Sequence, residues 1–346
     1  MVMALASHAL DLGRIELPLG TYIPTFDLGG RQRDGTIPVP DPELGRAIFD
    51  VVDREGALLI SSAMREAADL SAFLSAIGHK PFSSYVGGTA IRSAPVAENV
   101  FKSTELPPDV TIPLHQEMAY VAAIPDYISL FCSSAASQDQ KTNLVGDMLR
   151  FTRTLPDWVF EKYRGRTARL RRFMPPRGMD HGMFRLRRCW NDMIGTSDRD
   201  EARAIAAERN WELRWTEDDF LEVLQEPFPF FRRHPIHGEI WCTQAFAYLP
   251  VIQSYLARMD GRVDDWNRMQ AAMAEAPETL DTAVLDDGSP LDDDDALFIH
   301  RRLEEQTFRI ALREGELLIL DNLLRSHGRS PFRGTRKIFV ALGVRH

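Results

Sequence analysis

The segment "IPLHQEMAY", residues 112–120, places a histidine and a carboxylate two positions apart in an apolar run that is typical of a strand. Because residues two apart in a strand project from the same face, His115 and Glu117 would point together into whatever that face lines. Such a pair is either an ordinary surface ion pair or two metal ligands that need a third. The rest of the sequence decides between these interpretations.

A second segment, "LLILDNLLRSHGRSPFRGTRK" at residues 317–337, offers the third ligand. Its apolar start predicts a strand, and the polar turn that follows would present His327 at a strand end. Two histidines and one carboxylate occupy one face of Fe(II) and leave three positions open. Oxygen chemistry needs those positions, because a chelating cosubstrate and O₂ must bind the same iron. We therefore predict a metal site formed by His115, Glu117 and His327.

The composition indicates an acidic globular protein. The 346 residues include 41 Lys and Arg against 50 Asp and Glu, a net charge of −9. This balance argues against nucleic acid or an anionic membrane surface as the main partner. No stretch approaches the roughly 18 apolar residues of a membrane span. Three widely spaced cysteines indicate neither a disulfide framework nor a zinc knuckle, so we expect a cytoplasmic protein. The sequence carries no signal for its oligomeric state.

Short β-rich runs near residues 110–135 and 307–345 bracket a stretch, about 147–305, that is richer in helical patterns. No internal repeat or low-complexity linker divides the chain. Strands that return after a long excursion suggest a barrel or sandwich, and a jelly roll has this order. We therefore expect an α+β fold with a single domain over residues 1–346. Its core would be a double-stranded β-helix (jelly roll) with flanking helices, and a helical lid would be inserted at about residues 150–300.

Two helices are predicted from apolar periodicity. "DPELGRAIFDVVDREG", residues 41–56, places Leu44, Ile48 and Val51 or Val52 on one face and has Gly56 just beyond its end. "SDRDEARAIAAERN", residues 197–210, begins with Ser197 as the capping residue, and Asp200 is the alternative.

The segments "HQEMAY", "GELLILDN" and "SHGRSPFRGTRKIFVALG" resemble the taurine-dioxygenase-like superfamily of Fe(II)/2-oxoglutarate oxygenases. Within it they are similar to the branch of clavaminate-synthase-like enzymes and of amino-acid hydroxylases from siderophore or lipopeptide pathways. The resemblance extends to "NVFKSTELPPDVTIPLH" and "HPIHGEIWCTQ" and covers most of the chain from about residue 55. It implies Fe(II) as the metal, with 2-oxoglutarate and O₂ as cosubstrates.

The resemblance also implies two residues that bind 2-oxoglutarate. Thr142 falls about where the family has a threonine that helps hold this cosubstrate, although "DQKT" replaces the usual Gly-Gly-x-Thr. Arg336 matches the basic residue that pairs with the distal carboxylate, for which the forked guanidinium is well suited. Arg333 and Arg345 are the alternatives. Gln116 replaces the usual Asn, and "HPIHGE" and "WCTQ" also depart from the family pattern, so no relative's substrate is transferred.

The implied reaction is hydroxylation of an unactivated C–H bond, coupled to conversion of 2-oxoglutarate to succinate and CO₂. The implied substrate is an amino acid or a derivative, free or bound to a carrier protein, in natural-product or siderophore biosynthesis. Desaturation or cyclisation on the same site is the alternative, while halogenation is disfavoured because Glu117 fills the position that a halide would need. A non-catalytic jelly-roll metal-binding relative and a zinc hydrolase are the competing classes.

Several other residues receive an interpretation. Asp321 and Asn322 are expected to hold the turn that aims His327. His234 and His237 are disfavoured as a second metal site because a proline separates them in the sequence. The aromatic-rich residues 211–250 are expected to form the heart of a lid that selects substrate, and the segment before His115, with Arg92 and Thr104, is the other expected wall.

Overall fold

The computed structural model describes residues 10–28, 41–82, 95–103, 106–135, 141–179 and 189–345. The described strands, in chain order, are β1 (Leu12–Glu16), β2 (Tyr22–Asp27), β3 (Ala57–Ser61), β4 (Lys80–Pro81), β5 (Phe101–Lys102), β6 (Ile112–His115), β7 (Tyr127–Ser134), β8 (Asn143–Asp147), β9 (Thr167–Met174), β10 (Glu212–Trp215), β11 (Leu221–Leu224), β12 (Phe228–Pro229), β13 (Phe231–His234), β14 (Gly238–Trp241), β15 (Thr282–Leu285), β16 (Thr307–Ile310), β17 (Glu316–Asp321), β18 (Arg325–Arg329) and β19 (Lys337–Val344). The described α-helices are α1 (Pro42–Glu55), α2 (Ala67–Ala76), α3 (Met148–Arg153), α4 (Asp157–Tyr163), α5 (Trp190–Ile194), α6 (Arg199–Glu208), α7 (Pro250–Met259), α8 (Val263–Glu275) and α9 (Asp293–Glu304).

Two sheets carry the first and last thirds of the chain. The larger sheet has the order β1-β2-β3-β17-β7-β19-β4, with β5 also paired to β19. The smaller sheet has the order β16-β8-β18-β6, and its described pairs are antiparallel. Strands from both ends of the chain are therefore neighbours in each sheet, as the sequence pattern predicts.

The larger sheet is buried on both faces, and alternate residues of its strands serve two different cores. In β17, Leu317 and Ile319 pack with the apolar sides of α1 and α2. Leu318 and Leu320 face the opposite way and share a core with Val145 of the smaller sheet. This period of two is the expected result of strand geometry, and each fully buried leucine contributes about 1.5–3 kcal/mol. The result is a layer of helices, the larger sheet, and then the smaller sheet with the central part of the chain.

Helix α1 confirms the first predicted helix. Asp41 caps its N-terminus by accepting a hydrogen bond from the Leu44 amide at 2.9 Å, and Pro42 occupies the first turn. Gly56 ends the helix with a φ of 79°, and its amide donates to the Val52 carbonyl. A Cβ on Gly56 would lie 2.9 Å from Arg325 Nε, so both backbone conformation and close packing require glycine here.

The predicted start of α6 was wrong by one residue. Asp198, and neither Ser197 nor Asp200, is the N-cap, and its carboxylate accepts hydrogen bonds from the Asp200 and Glu201 amides. Ser197 has a different partner, because its hydroxyl accepts from Asn191 Nδ2 at 3.4 Å. Both residue types are good caps, so sequence alone does not separate them.

The central stretch, residues 150–300, combines helices with a sheet that the prediction of a helical lid did not include. Strands β10, β11, β9 and β12 pair in that order, β15 pairs with β9, and β13 and β14 form a separate hairpin. Helices α7 and α8 pack against each other beside this sheet. In the described part of the chain, none of the helices has the length and apolar character needed to cross a membrane.

Candidate active site

The smaller sheet brings the two predicted histidine ligands together. His115 is the last residue of β6 and lies directly opposite His327 of β18 in the antiparallel register. Their ring centroids are 4.2 Å apart. A register irregularity follows His327, so the pairing of these strands changes just beyond the site. Residues far apart in sequence thus meet because β6 and β18 are neighbouring strands.

Glu117 reaches the same place from a turn. The predicted strand through residue 120 is too long, since β6 ends at His115 and a turn begins at Glu117. Glu117 Oε2 nevertheless lies 3.9 Å from His115 Nε2 and 3.4 Å from His327 Nε2. One potential ligand atom from each of the three residues falls within 4.8 Å of the others, and no other group of this kind occurs in the described residues.

The donor atoms suit a divalent iron. His115 Nδ1 lies 2.9 Å from the Pro113 carbonyl and can donate its proton there, which leaves the Nε2 lone pair facing Glu117. His327 Nδ1 is buried and has no hydrogen-bond partner among the described residues. Two imidazole nitrogens and one carboxylate on one side of a cavity match the ligand set that leaves open positions on Fe(II).

A cavity of about 340 Å³ joins this cluster to the centre of the molecule. At one end it is lined by the three clustered residues with Asn143, Arg329 and Arg336. The opposite end is mostly aromatic and aliphatic, and its lining includes Tyr120, Tyr248, Leu256, Met269 and Leu280. Helices α7 and α8 supply much of this second wall. The arrangement provides a charged inner chamber and an apolar outer one.

Of the three candidate arginines, Arg336 is the one that lines the cavity. Its guanidinium donates a hydrogen bond to Asn143 Oδ1. Burial, together with the nearby Arg329 cation, lowers the pKa of Arg336 to about 10. Arg333 is exposed, and Arg345 pairs with Asp53, Asp126 and Asp321 elsewhere. A half-buried cation that faces the cavity favours an anionic ligand.

Thr142 precedes β8 and is buried, and its carbonyl accepts a hydrogen bond from the Ser330 amide at 3.0 Å. The described cavity lining contains its neighbour Asn143 and not Thr142 itself. Asn143 is the residue that sequence reasoning missed. The period of two in "NLVGD", with Val145 in the core, places Asn143 and Val145 on one face once the strand is known to begin at residue 143.

Asp321 holds the turn before His327 as predicted, because its Oδ1 accepts hydrogen bonds from the Leu323 and Leu324 amides at 2.8 and 2.9 Å. His234 Nε2 lies 3.0 Å from the other Asp321 oxygen, and both side chains are fully buried. The Nδ1 atom of His234 accepts from the amides of Ile236 and His237. His234 is thus engaged in supporting this turn.

Only the C-terminal part of the stretch expected to form the heart of the lid, residues 211–250, lines the cavity in the described structure. Within residues 211–250, the hairpin of β13 and β14 is largely core, with Trp241 and Cys242 buried. From this stretch Gln244, Ala247, Tyr248 and Pro250 line the cavity, and the outer wall continues through α7 and α8 to Asp281. Arg92 and Thr104, expected on the other wall, lie outside the described residues.

Comparison with known proteins identifies the family of this chain. The model of the taurine catabolism dioxygenase TauD, TfdA family matches residues 24–342. A clavaminate synthase-like protein of Arabidopsis thaliana is 26% identical over 272 residues, covering 75% of this chain and 72% of that protein. The dapdiamide synthesis protein DdaC of Enterobacter agglomerans is 26% identical over 304 residues, covering 85% and 84%.

Among solved structures, a taurine dioxygenase from Burkholderia xenovorans superposes with a TM-score of 0.52 at 14% identity, covering 96% of this chain and 89% of that one. At such low sequence identity, this structural similarity shows only a shared mixed α/β fold. The family match, which spans nearly the whole chain, goes further. The chain belongs to the TauD/TfdA family and is an Fe(II)- and 2-oxoglutarate-dependent dioxygenase, an enzyme that consumes O₂.

Proposed function

We propose that His115, Glu117 and His327 are the iron ligands of an enzyme that hydroxylates an unactivated C–H bond of an amino acid or an amino-acid derivative. The observation that carries this proposal is the convergence of three donor atoms within 4.8 Å at the inner end of one cavity. When bound, Fe(II) supplies the oxidising chemistry, in which O₂ and 2-oxoglutarate are consumed and succinate and CO₂ are released. Desaturation or cyclisation on the same site is the alternative outcome.

The distal carboxylate of 2-oxoglutarate would bind Arg336. Its guanidinium is half-buried in the cavity wall, and its described hydrogen bond goes to a neutral amide, Asn143. A carboxylate would neutralise this charge and accept two parallel hydrogen bonds. Asn143 would assist by holding the guanidinium in place. Thr142 was expected to help hold 2-oxoglutarate itself, and Asn143 is the neighbour of Thr142 that lines the cavity.

The apolar end of the cavity would receive the substrate. Tyr248, Leu256, Met269 and Leu280 present largely apolar side chains to the cavity, and the acids Asp265 and Asp281 also line it. Asp265 pairs with Arg262 at 2.8 Å and Asp281 with Arg172 at 3.4 Å. The outer wall thus offers apolar packing with charges that largely balance. It suits a small organic substrate, free or presented on a carrier protein.

The dapdiamide synthesis role named for DdaC supports a place in natural-product biosynthesis for this chain also. We propose in addition that the two sheets form a double-stranded β-helix (jelly roll) in a single domain, into which residues of about 150–300 are inserted. The three free cysteines are compatible with a cytoplasmic location.

Oxygen uptake coupled to succinate formation tests the proposal. The Fe(II)-loaded protein would be given 2-oxoglutarate and a panel of amino acids, each supplied free and as a carrier-protein thioester. We expect one substrate group to raise O₂ uptake and succinate release together, with one added oxygen in the product. Metal binding without substrate-stimulated turnover across the panel would favour the non-catalytic relative. Hydrolysis without O₂ uptake would favour the zinc hydrolase.

A further inference from the structure

Glu117 lies outside the strands, so its backbone lacks the ladder of hydrogen bonds that holds His115 and His327. Its partner is the side chain of Asn322. The Glu117 amide donates to Asn322 Oδ1 at 2.6 Å, and Asn322 Nδ2 donates to the Glu117 carbonyl at 2.9 Å. These two bonds imitate the paired bonds between antiparallel strands. A side chain thus takes the place of a neighbouring strand at the carboxylate.

Asn322 is well suited to fix this position because its own side chain is fully buried and anchored. Its Nδ2 also donates to the Pro125 carbonyl at 2.9 Å, and its backbone amide donates to the Asp126 carbonyl at 2.8 Å. An unsatisfied amide at such a depth would be costly, so the bonds to Glu117 are strongly favoured. The asparagine therefore has one stable arrangement.

The residue after Glu117 adds a reason for such an anchor. Met118 has a φ of 60°, in the left-handed region that residues other than glycine rarely adopt. This conformation persists only when the surrounding structure holds it. Asn322 is hydrogen-bonded to the backbone of Glu117, the residue that precedes Met118. These bonds thereby stabilise the turn that directs Glu117 towards the histidines.

A second pair of side chains holds the loop from the other direction. Gln244 Nε2 donates to the Gln116 carbonyl at 2.6 Å, and Gln116 Nε2 donates to the carbonyls of Trp241 and Leu323 at 2.8 and 3.2 Å. These bonds join the "WCTQ" segment, residues 241–244, to the loop that carries Glu117. They also keep the loop attached to the protein when the Asn322 contacts are removed.

We propose that Asn322 is a positioning residue that sets Glu117 at its distance from His327. Asn322 follows Asp321 in the turn that leads into β18, so one short segment holds both the carboxylate and the strand of the second histidine. The expectation that Asn322 helps hold the turn that aims His327 is thereby extended to Glu117. This inference rests on the proposed role of Glu117 as an iron ligand.

The test measures metal affinity rather than turnover. Asn322→Asp keeps the shape and the acceptor for the Glu117 amide but loses both donors. Asn322→Ala loses all three side-chain bonds. Asn191→Ala is the matched control, because Asn191 is also buried and accepts a backbone hydrogen bond, from Arg177 at 2.8 Å, in a separate apolar cluster. Co(II) binding to the metal-free proteins would be followed by calorimetry and by the visible absorption spectrum, alongside the melting temperature.

We expect both Asn322 variants to bind Co(II) about 10–100-fold more weakly and with an altered spectrum, as is typical when an outer residue that orients a ligand is removed. Asn191→Ala should lower the melting temperature without changing Co(II) affinity. Unchanged affinity and spectrum in both Asn322 variants, or an equal loss in Asn191→Ala, would overturn the inference. Glu117→Ala separates the two proposals: if it alone loses Co(II), only the role of Asn322 fails, and if it retains Co(II), the iron site itself is wrong.

Discussion

At the scale of single residues, Arg336 is the residue that we propose binds the distal carboxylate of 2-oxoglutarate. Replacing Arg336 with Ala should raise the concentration of 2-oxoglutarate needed for binding by about 30-fold to several thousand-fold. This corresponds to the roughly 2–5 kcal/mol lost when one partner of a buried charge pair is removed. Arg333→Ala is the matched control, because Arg333 is exposed on the same loop. Calorimetric titration of 2-oxoglutarate checks this, and a larger effect at Arg333 would contradict it.

For the neighbouring residues Asn143 and Thr142, we expect substitution of the first to weaken 2-oxoglutarate binding and substitution of the second to leave it nearly unchanged. Asn143→Leu removes the acceptor that holds the Arg336 guanidinium and should weaken 2-oxoglutarate binding by about 10-fold, the value of roughly one buried hydrogen bond to a charged group. Thr142→Val keeps the backbone carbonyl that Ser330 uses and should leave binding nearly unchanged. Calorimetric titration of 2-oxoglutarate measures binding to both variants. A larger loss of affinity in Thr142→Val than in Asn143→Leu would assign the role in cosubstrate binding to Thr142.

At the scale of secondary-structure elements, the segment of residues 106–111 forms a wall of the cavity and is held from two sides. Arg329 in β18 donates to the carbonyls of Leu106, Pro107 and Val110. Asp260 at the end of α7 accepts from the backbone amide and the hydroxyl of Thr111. The wall next to β6 is thereby fastened to both the smaller sheet and the helices.

Asp260→Ala should therefore loosen this wall. The Thr111 amide and hydroxyl lose a charged acceptor, which costs about 1.5–3 kcal/mol for each strong bond. We expect limited proteolysis to cut within residues 106–111 earlier than in the unsubstituted protein. Asp264→Ala, at an exposed position in the first turn of α8, is the control and should leave the cleavage pattern as it was. An identical pattern for Asp260→Ala would show that the wall does not depend on Asp260.

The glycines that follow α1 and α2 allow the cost of close packing to be separated from the cost of backbone strain. Gly56 and Gly78 both have positive φ, but only Gly56 has atoms near a would-be Cβ, with Arg325 Nε at 2.9 Å and Leu324 Cβ at 3.0 Å. Gly78→Ala should cost about 1 kcal/mol from the left-handed conformation alone. Gly56→Ala should cost roughly 1–3 kcal/mol more, because the neighbours must also move. Urea unfolding of both variants measures the difference, and equal values would contradict it.

At the scale of the whole molecule, the sequence predicted the parts of the site that local patterns encode. The spacing of His115 and Glu117, and the polar turn around His327, identify the three residues without any knowledge of the sheets. The end of β6 at His115 was not predictable from the same run, since the apolar residues after it fit a strand equally well. The turn there is held by residues distant in sequence, among them Asn322 and Gln244.

The central stretch was harder to predict for a similar reason. The strands of its sheet are short, and each fits a loop as well as a strand until β9 supplies a partner. The prediction of a lid at residues 211–250 also relied on aromatic content, yet most of those aromatic side chains belong to the core. The outer wall comes from α7 and α8, whose apolar faces are ordinary helical patterns. Tertiary packing decides which of several apolar segments meets the cavity.

We propose that His115, Glu117 and His327 hold the iron, and the iron content of variants at these three positions tests this directly. Metal-free protein and the variants His115→Ala, Glu117→Ala and His327→Ala would be titrated with Fe(II) without oxygen, and the bound iron per chain determined after desalting. We expect one iron per unsubstituted chain and almost none in each variant. The melting temperatures of the variants should stay close to that of the unsubstituted protein, because the sheets provide most of the stability. Stoichiometric iron retained by the His327→Ala variant would contradict it.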